Sequence, residues 1–272
     1  MKYSFSACVD HLGIFRKNGN VTVPFFRLGF VAAGGADHLV LKDGKPAPGS
    51  GALIFDNAYI ELSMKPIYAD PVWPKGGFTY LQFGTMDAVS THQRLAEAGF
   101  AVGDVATMSR YADHGARKGD AGFTFFRLAD DILENAYYGA VQHLNRELMY
   151  QDTRYIHKNG VSRINSVTVF KDNVKQAAEI ARTSQRVVDC IGEATPSGGI
   201  PVVYVMDRAE ARVLYGVEIP QDTKNVVGIC FHTDDLNLVK TRLDGFTARE
   251  TGNSIVVDMV EDMNVYLIFT EE

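Results

Sequence analysis

Cys8-Val9-Asp10-His11-Leu12-Gly13-Ile14-Phe15 and Ala58-Tyr59-Ile60-Glu61-Leu62 are the stretches on which the reading of this chain turns. Both read as strands, whose side chains alternate between faces. In the first, Leu12 and Ile14 share a face, and His11 points the other way with Val9 and Gly13. In the second, Ile60 and Leu62 share a face, and Glu61 points away from it. If both apolar faces pack on the same helix, His11 and Glu61 project from the opposite side of one sheet. An imidazole and a carboxylate placed together on such a surface suit a divalent metal.

The same opening recurs further along. Gly77–Phe83, Ile164–Phe170 and Asn225–Phe231 are strand-like runs, each followed by a helical pattern and further strands. The spacing predicts a short first helix over Val23–Leu28, interrupted by Pro24. The second carries Asp87 ahead of Val89, Gln93, Leu95 and Ala96. Asp172 is placed to cap the third, with Val174, Ala177, Ala178 and Ala181 as its stripe. Asp234 or Asp235 is placed to cap the fourth, with Leu236, Val239 and Leu243. Closing strands are expected at Ala52–Leu62, Asn135–Leu144 and Met263–Phe269. For the third repeat Pro201–Met206 and Arg212–Tyr215 are the candidates. Turn chemistry separates the elements at Lys42-Asp43-Gly44-Lys45, Pro48-Gly49-Ser50-Gly51, Arg117-Lys118-Gly119-Asp120 and Pro196-Ser197-Gly198-Gly199. The polar stretch Gln151–Ser162 reads as a linker between halves.

Composition bounds the function classes. The 272 residues are 46% hydrophobic and 22% charged, ordinary for a globular chain with room for a large core or two domains. A net charge of −6 with both signs interspersed argues against nucleic acid. No segment reaches membrane-spanning length, and the N-terminus is too short and polar for a signal peptide. Cys8, Cys190 and Cys230 are widely spaced and odd in number, which reads as buried free thiols in a cytoplasmic protein.

Four such units resemble the vicinal oxygen chelate superfamily, in particular its glyoxalase-like members. The resemblance is carried by Val9-Asp10-His11-Leu12, by Ala58-Tyr59-Ile60-Glu61-Leu62 and by Ala140-Val141-Gln142-His143-Leu144-Asn145-Arg146-Glu147-Leu148. It continues through His157-Lys158-Asn159-Gly160-Val161 into Val167–Phe170, although Lys158 stands where the family usually has proline. The resemblance implies an α+β fold of four βαβββ repeats forming two cupped mixed sheets. Residues 1–150 would form one glyoxalase-like domain, 151–163 a linker and 164–272 a second. It also implies ligands on first and last strands. That completes a set of His11, Glu61 and His143, with Thr79 near the remaining position and Gln82 on the other face by alternation. Two imidazoles and a carboxylate with open positions suit Zn, Fe, Ni or Mn. Taken singly, each histidine reads better as a hydrogen-bonded strand residue and Glu61 as a solvated charge; three on equivalent strand positions favour the metal. In the second half Ser166 and Val226 take the place of His11 and Tyr266 that of Glu61, so that half is expected to be metal-free.

Other residues bear on the same cup. Arg110 and Arg127 lie on predicted strands, either as clamps for an anionic substrate or as salt-bridged edge residues, with Arg127 slightly favoured for its apolar neighbours. Tyr59, Tyr137, Tyr138 and Trp73 supply aromatic surface, although strand aromatics are more often core. His157 reads as an exposed loop histidine, Asn159 as a turn residue before Gly160, and His114 as solvated; His38, His92 and His232 receive no role. Gly49-Ser50-Gly51 and Ser197-Gly198-Gly199 lack P-loop spacing, and no serine-centred elbow appears. The expected function is a metal-dependent lyase or isomerase acting on a small vicinal-oxygen substrate, with Glu61 moving a proton. The alternatives are an Fe(II)-dependent dioxygenase and a metal-free binding or resistance protein. A homodimer is compatible with either.

Overall fold

In the computed structural model the chain builds two seven-stranded mixed sheets. The structure describes residues 2–6, 8–16, 20–33, 50–63, 76–112, 116–133, 136–151, 156–192, 201–220 and 226–272. Trp73, His38, His114, the turns at 42–49 and 196–199, and Asn135 lie outside them.

The elements follow the chain as β1 (Lys2–Ser6), β2 (Val9–Arg16), α1 (Thr22–Arg27), β3 (Ser50–Ile54), β4 (Tyr59–Ser63), β5 (Gly76–Gly84), α2 (Ala88–Glu97), β6 (Ala106–Ala112), β7 (Gly119–Arg127) and β8 (Tyr137–His143). The second half carries β9 (Val161–Lys171), α3 (Val174–Ile191), β10 (Val202–Asp207), α4 (Arg208–Tyr215), β11 (Val227–Thr233) and α5 (Leu236–Lys240). It ends with β12 (Thr247–Thr251), β13 (Ser254–Met259), α6 (Val260–Met263) and β14 (Val265–Thr270). One sheet has the order β3-β4-β2-β5-β8-β7-β6, the other β1-β10-β9-β11-β14-β13-β12. The opening strands β2, β5, β9 and β11 therefore lie at the sheet centres, where the repeat pattern puts them. The strand β1 pairs antiparallel with β10, so residues 2–6 belong to the sheet of the second half.

Local chemistry explains the elements and the departures. Asp87 caps α2 by accepting from Ser90 N, but the buried face is Ala88, Thr91 and Leu95, and the expected stripe residue Val89 is exposed. Asn173, not Asp172, caps α3, accepting from Lys175 N and Gln176 N. That start leaves Val174 exposed and buries Ala177, Ile180, Ser184, Val187 and Ile191. Asp235 caps α5, and Val239 is buried as expected. The candidate strand Arg212–Tyr215 is helix. Asp207 accepts from Glu210 N, Arg-Ala-Glu-Ala-Arg-Val-Leu-Tyr continues as a helix, and Gly216 ends it in the left-handed region.

One continuous core joins the helix-bearing faces of both sheets. Leu12, Ile14, Ile60, Leu62, Leu81 and Phe83 meet Val167, Val203, Ile229 and Leu267 in the same cluster. At the seam Phe30 and Phe55 pack on the His157 ring, and Phe231 and Phe269 pack on those phenylalanines. His157 is 2% exposed, against the expectation of an exposed loop residue. Its Nδ1 accepts from Val31 N and its Nε2–H donates to Ile54 O. Burial pushes the imidazole pKa down to about 4, with the Ile54 hydrogen bond acting weakly the other way. Asn159 is structural, as expected, its Oδ1 accepting from Val161 N. Across the seam Asn57 pairs both ends of its amide with the backbone of Ile164. No helix of the described residues is long and apolar enough to cross a membrane.

Candidate functional site

Two β-bulges build the inner face of the first sheet. Val9 pairs with Phe83 and His11 with Gln82, so Asp10 is an extra residue in β2. Gly13 pairs with Tyr80 and Ile14 with Phe78, so Thr79 is an extra residue in β5. A bulge resets the alternation. Val9 therefore falls in the helix-side core, and Asp10 joins His11 on the cup side, where its carboxylate meets two histidines. The same shift puts Gln82 directly opposite His11, on the same face, and not on the other face as even alternation predicts.

Cross-strand rows then set the floor of the cup. One row runs Tyr137, Tyr80, Gly13, Glu61 across β8, β5, β2 and β4. A Cβ on Gly13 would lie 2.2 Å from Tyr80 Cε1, so glycine lets the Tyr80 ring lean across β2. There its hydroxyl donates to Glu61 Oε2. The neighbouring row runs Gly139, Gln82, His11, Tyr59. A Cβ on Gly139 would lie 2.5 Å from Gln82 Oε1, so this glycine makes room for the carboxamide. Beside it His11 stacks on Tyr59 at 4.3 Å with 10° between the rings.

Asp10 is the hub of the site and was missed as a site residue. Its Oδ1 lies 2.8 Å from His11 Nδ1 and 2.9 Å from His143 Nε2. Arg146 Nη1 is 3.4 Å from Oδ2, and Tyr150 OH donates to the Asp10 carbonyl at 3.0 Å. Burial alone raises the carboxyl pKa; the charge of His143 and the hydrogen bonds from both histidines outweigh it and hold it well below the usual range. Burial, followed by the charges of Asp10 and Glu61, raises the Tyr59 pKa. Burial raises those of Tyr80 and Tyr150 too, helped by Glu61 at Tyr80 and by Asp10 at Tyr150. The signal for Asp10 was present in Val9-Asp10-His11, but only the bulge turns it inward.

His11 and His143 are thus brought together, through Asp10. Glu61, 9% exposed, lies one row away with Tyr80 on Oε2 and Arg110 Nη2 3.8 Å from Oε1. Arg110 is the arginine beside the carboxylate; Arg127 lies opposite Gly139 with its guanidinium 5.8 Å from the Tyr137 ring. Tyr138, expected in the cup, is on the helix side and bonds Ser184 of α3 at 2.6 Å.

As donors, two imidazoles and carboxylates are the right types for a divalent ion. In this structure each of His11, His143 and Glu61 is already engaged in a hydrogen bond. Among the described residues no three of His, Cys, Asp and Glu converge as a ligand set. The histidines turn one nitrogen each to Asp10, and Glu61 is held by Tyr80. Among the described residues, Gln82 Oε1, Arg146 Nη2 and Ser63 Oγ of β4 are buried with no partner. The three cysteines are free.

No family model matches the chain, and no curated protein matches it by sequence. Solved structures do match over nearly the full length. A hypothetical protein from Staphylococcus aureus aligns with a TM-score of 0.53 at 12% identity, over 96% of this chain and 98% of that one. A variant of 4-hydroxymandelate synthase from Streptomyces coelicolor aligns at 0.54 and 11%, over 97% and 93%. Homoprotocatechuate 2,3-dioxygenase from Arthrobacter globiformis aligns at 0.52 and 10%, over 98% and 81%. Such identities speak for architecture only. With its paired cupped sheets and central opening strands, the chain shares the fold of these solved structures, the glyoxalase-like arrangement.

Proposed function

We propose that the first cup binds a small substrate bearing adjacent oxygens and that Glu61 moves the proton in an isomerase or lyase reaction. The observation behind this reading is the placement of Glu61. It is a buried carboxylate on the cup floor, bonded by Tyr80, with the half-exposed Arg110 beside it. In this reading Glu61 takes a proton from the carbon next to a carbonyl and returns it to the neighbouring carbon. Arg110 offsets the negative charge that grows on the oxygen, and it favours an anionic substrate. His11, stacked on Tyr59 and oriented by Asp10, positions the second oxygen.

A second reading keeps a divalent ion (Zn, Fe, Ni or Mn) in this cup, with His11, His143 and Glu61 as ligands. Its support is the Asp10 carboxylate holding one nitrogen of each imidazole, a common outer partner of metal-bound histidine. With Fe(II) the same set suits a dioxygenase. A metal-free binding protein would use the cup without turnover.

The test is metal analysis by mass spectrometry on untagged protein, followed by turnover of 2-oxoaldehyde, hemithioacetal and α-hydroxycarbonyl substrates with and without each ion. The proposal expects turnover of at least one class. Oxygen uptake with Fe(II) alone favours the dioxygenase, and no turnover under any condition contradicts both enzyme readings.

A further inference from the structure

Gln82 carries the clearest unspent chemistry in the molecule. The residue is 5% exposed, yet its Oε1 is buried with no hydrogen-bond partner. Leaving a buried acceptor unpaired is costly, and native proteins keep few such atoms. The surrounding backbone accommodates this one. Gly139 clears the volume where the amide lies, and a side chain there would also meet Phe126 O at 2.6 Å. The amide stands directly across from His11, in the row next to Glu61. Arg146 Nη2 is a buried donor in the same condition, and Arg146 reaches this wall only through Asp10.

We infer that Gln82 is the specificity-determining residue of the first cup, and that its ligand is an α-hydroxy acid or α-hydroxycarbonyl compound. The inference rests on the reading of this cup as a substrate site. An unpaired carboxamide oxygen calls for a donor, and the group that offers one in a vicinal-oxygen compound is a hydroxyl. A diketone or 2-oxo acid offers the Gln82 oxygen, as the amide is oriented here, only a second acceptor and is disfavoured, because two facing acceptors leave both unpaired.

The test uses Gln82→Met, which keeps the length of the side chain and removes the amide. Two quantities are read on the full chain. The first is the Tm without ligand. A rise of about 2–6 °C is expected, because an unpaired buried oxygen is removed; a fall of that size means the amide is a satisfied structural group and overturns the inference. The second is binding of lactate and of pyruvate, which differ at the hydroxyl, by ligand-observed NMR titration. The wild type is expected to prefer lactate by about tenfold or more, and Gln82→Met to lose that preference while still binding pyruvate. Binding of lactate with an unaltered preference in the variant sinks the Gln82 assignment alone. Preference for pyruvate in the wild type overturns the ligand class. Binding of neither probe by either protein removes the ligand class and also counts against the substrate-site reading beneath it.

Discussion

The two cups share a scaffold and differ in what fills it. In the first, Asp10 bulges between the pairs Val9–Phe83 and His11–Gln82. In the second, Asn165 bulges at the same place, between Ile164–Phe231 and Ser166–Cys230. The register continues from there. Tyr59 and Glu61 of β4 correspond to Val202 and Tyr204 of β10, so Tyr204 and not the expected Tyr266 takes the place of Glu61, and Tyr137 of β8 corresponds to Tyr266 of β14. Yet the second cup is packed with Phe170, Met206, Val256, Tyr266 and Ile268 against Ala211 of α4 and Val217 and Ile219 beyond it. Its cysteine, Cys230, is pushed up to about 11 by burial, with a hydrogen bond from Ser166 opposing. A bulge at a sheet centre therefore creates an opportunity for chemistry. Side chains decide whether it becomes a site or is closed by a helix.

The sharpest way to break the comparison is to empty the two bulges. Asp10→Ala removes the acceptor shared by His11 and His143 and strands buried donors. It should cost about 3–5 kcal/mol in urea unfolding. Asn165→Ala, whose side chain bonds Arg163 and the carbonyl of Glu272 at the surface, should cost under about 1 kcal/mol. Equal costs would mean that the Asp10 hub is not what distinguishes the halves.

Acid should act on the seam before it reaches the hub. The folded pKa of His157 is depressed from 6.5 to about 4, so the unfolded chain binds the proton first. Stability is then full above about pH 6.5 and falls as pH drops toward 4, by on the order of 3 kcal/mol. Asp10, also depressed, adds a loss only below its ordinary value near 3.8. Chemical unfolding at pH 7 and pH 4.5 should therefore differ in wild type and hardly in His157→Asn, once the variant's lower stability at pH 7 is subtracted. An unchanged slope in the variant would assign the acid sensitivity elsewhere.

A smaller contrast lies in the glycines. Gly13→Ala drives a methyl to within 2.2 Å of the Tyr80 ring and should cost about 1–3 kcal/mol, with loss of the Tyr80–Glu61 contact. Gly228→Ala in the second cup meets Phe170 Cζ at 3.2 Å and should cost about 1 kcal/mol or less. Thermal unfolding of the two variants ranks them directly.

Much of this architecture was legible because strand alternation is a strong signal over regular stretches. Leu12, Ile14, Ile60 and Leu62 do share the helix side, and His11 and Glu61 the other. The reading failed where regularity fails. The bulges at Asp10 and Thr79 reverse faces in a way that residue spacing does not encode, which hid Asp10 and misplaced Val9 and Gln82. The burial of His157 comes from packing between halves, far apart in sequence. The helix at Arg208–Tyr215 was readable from the Asp207 cap and its alanines, but the expectation of a repeated strand displaced it.

The most direct test of the claim that the first cup is the working one is a paired substitution. Glu61→Gln and Tyr204→Phe alter corresponding floor positions in the two cups, and Phe keeps the ring under Lys2. On whichever substrate class the wild type turns over, Glu61→Gln is predicted to lower kcat by about a hundredfold or more, and Tyr204→Phe to leave it unchanged. Retained activity in Glu61→Gln, or a loss confined to Tyr204→Phe, would contradict the account.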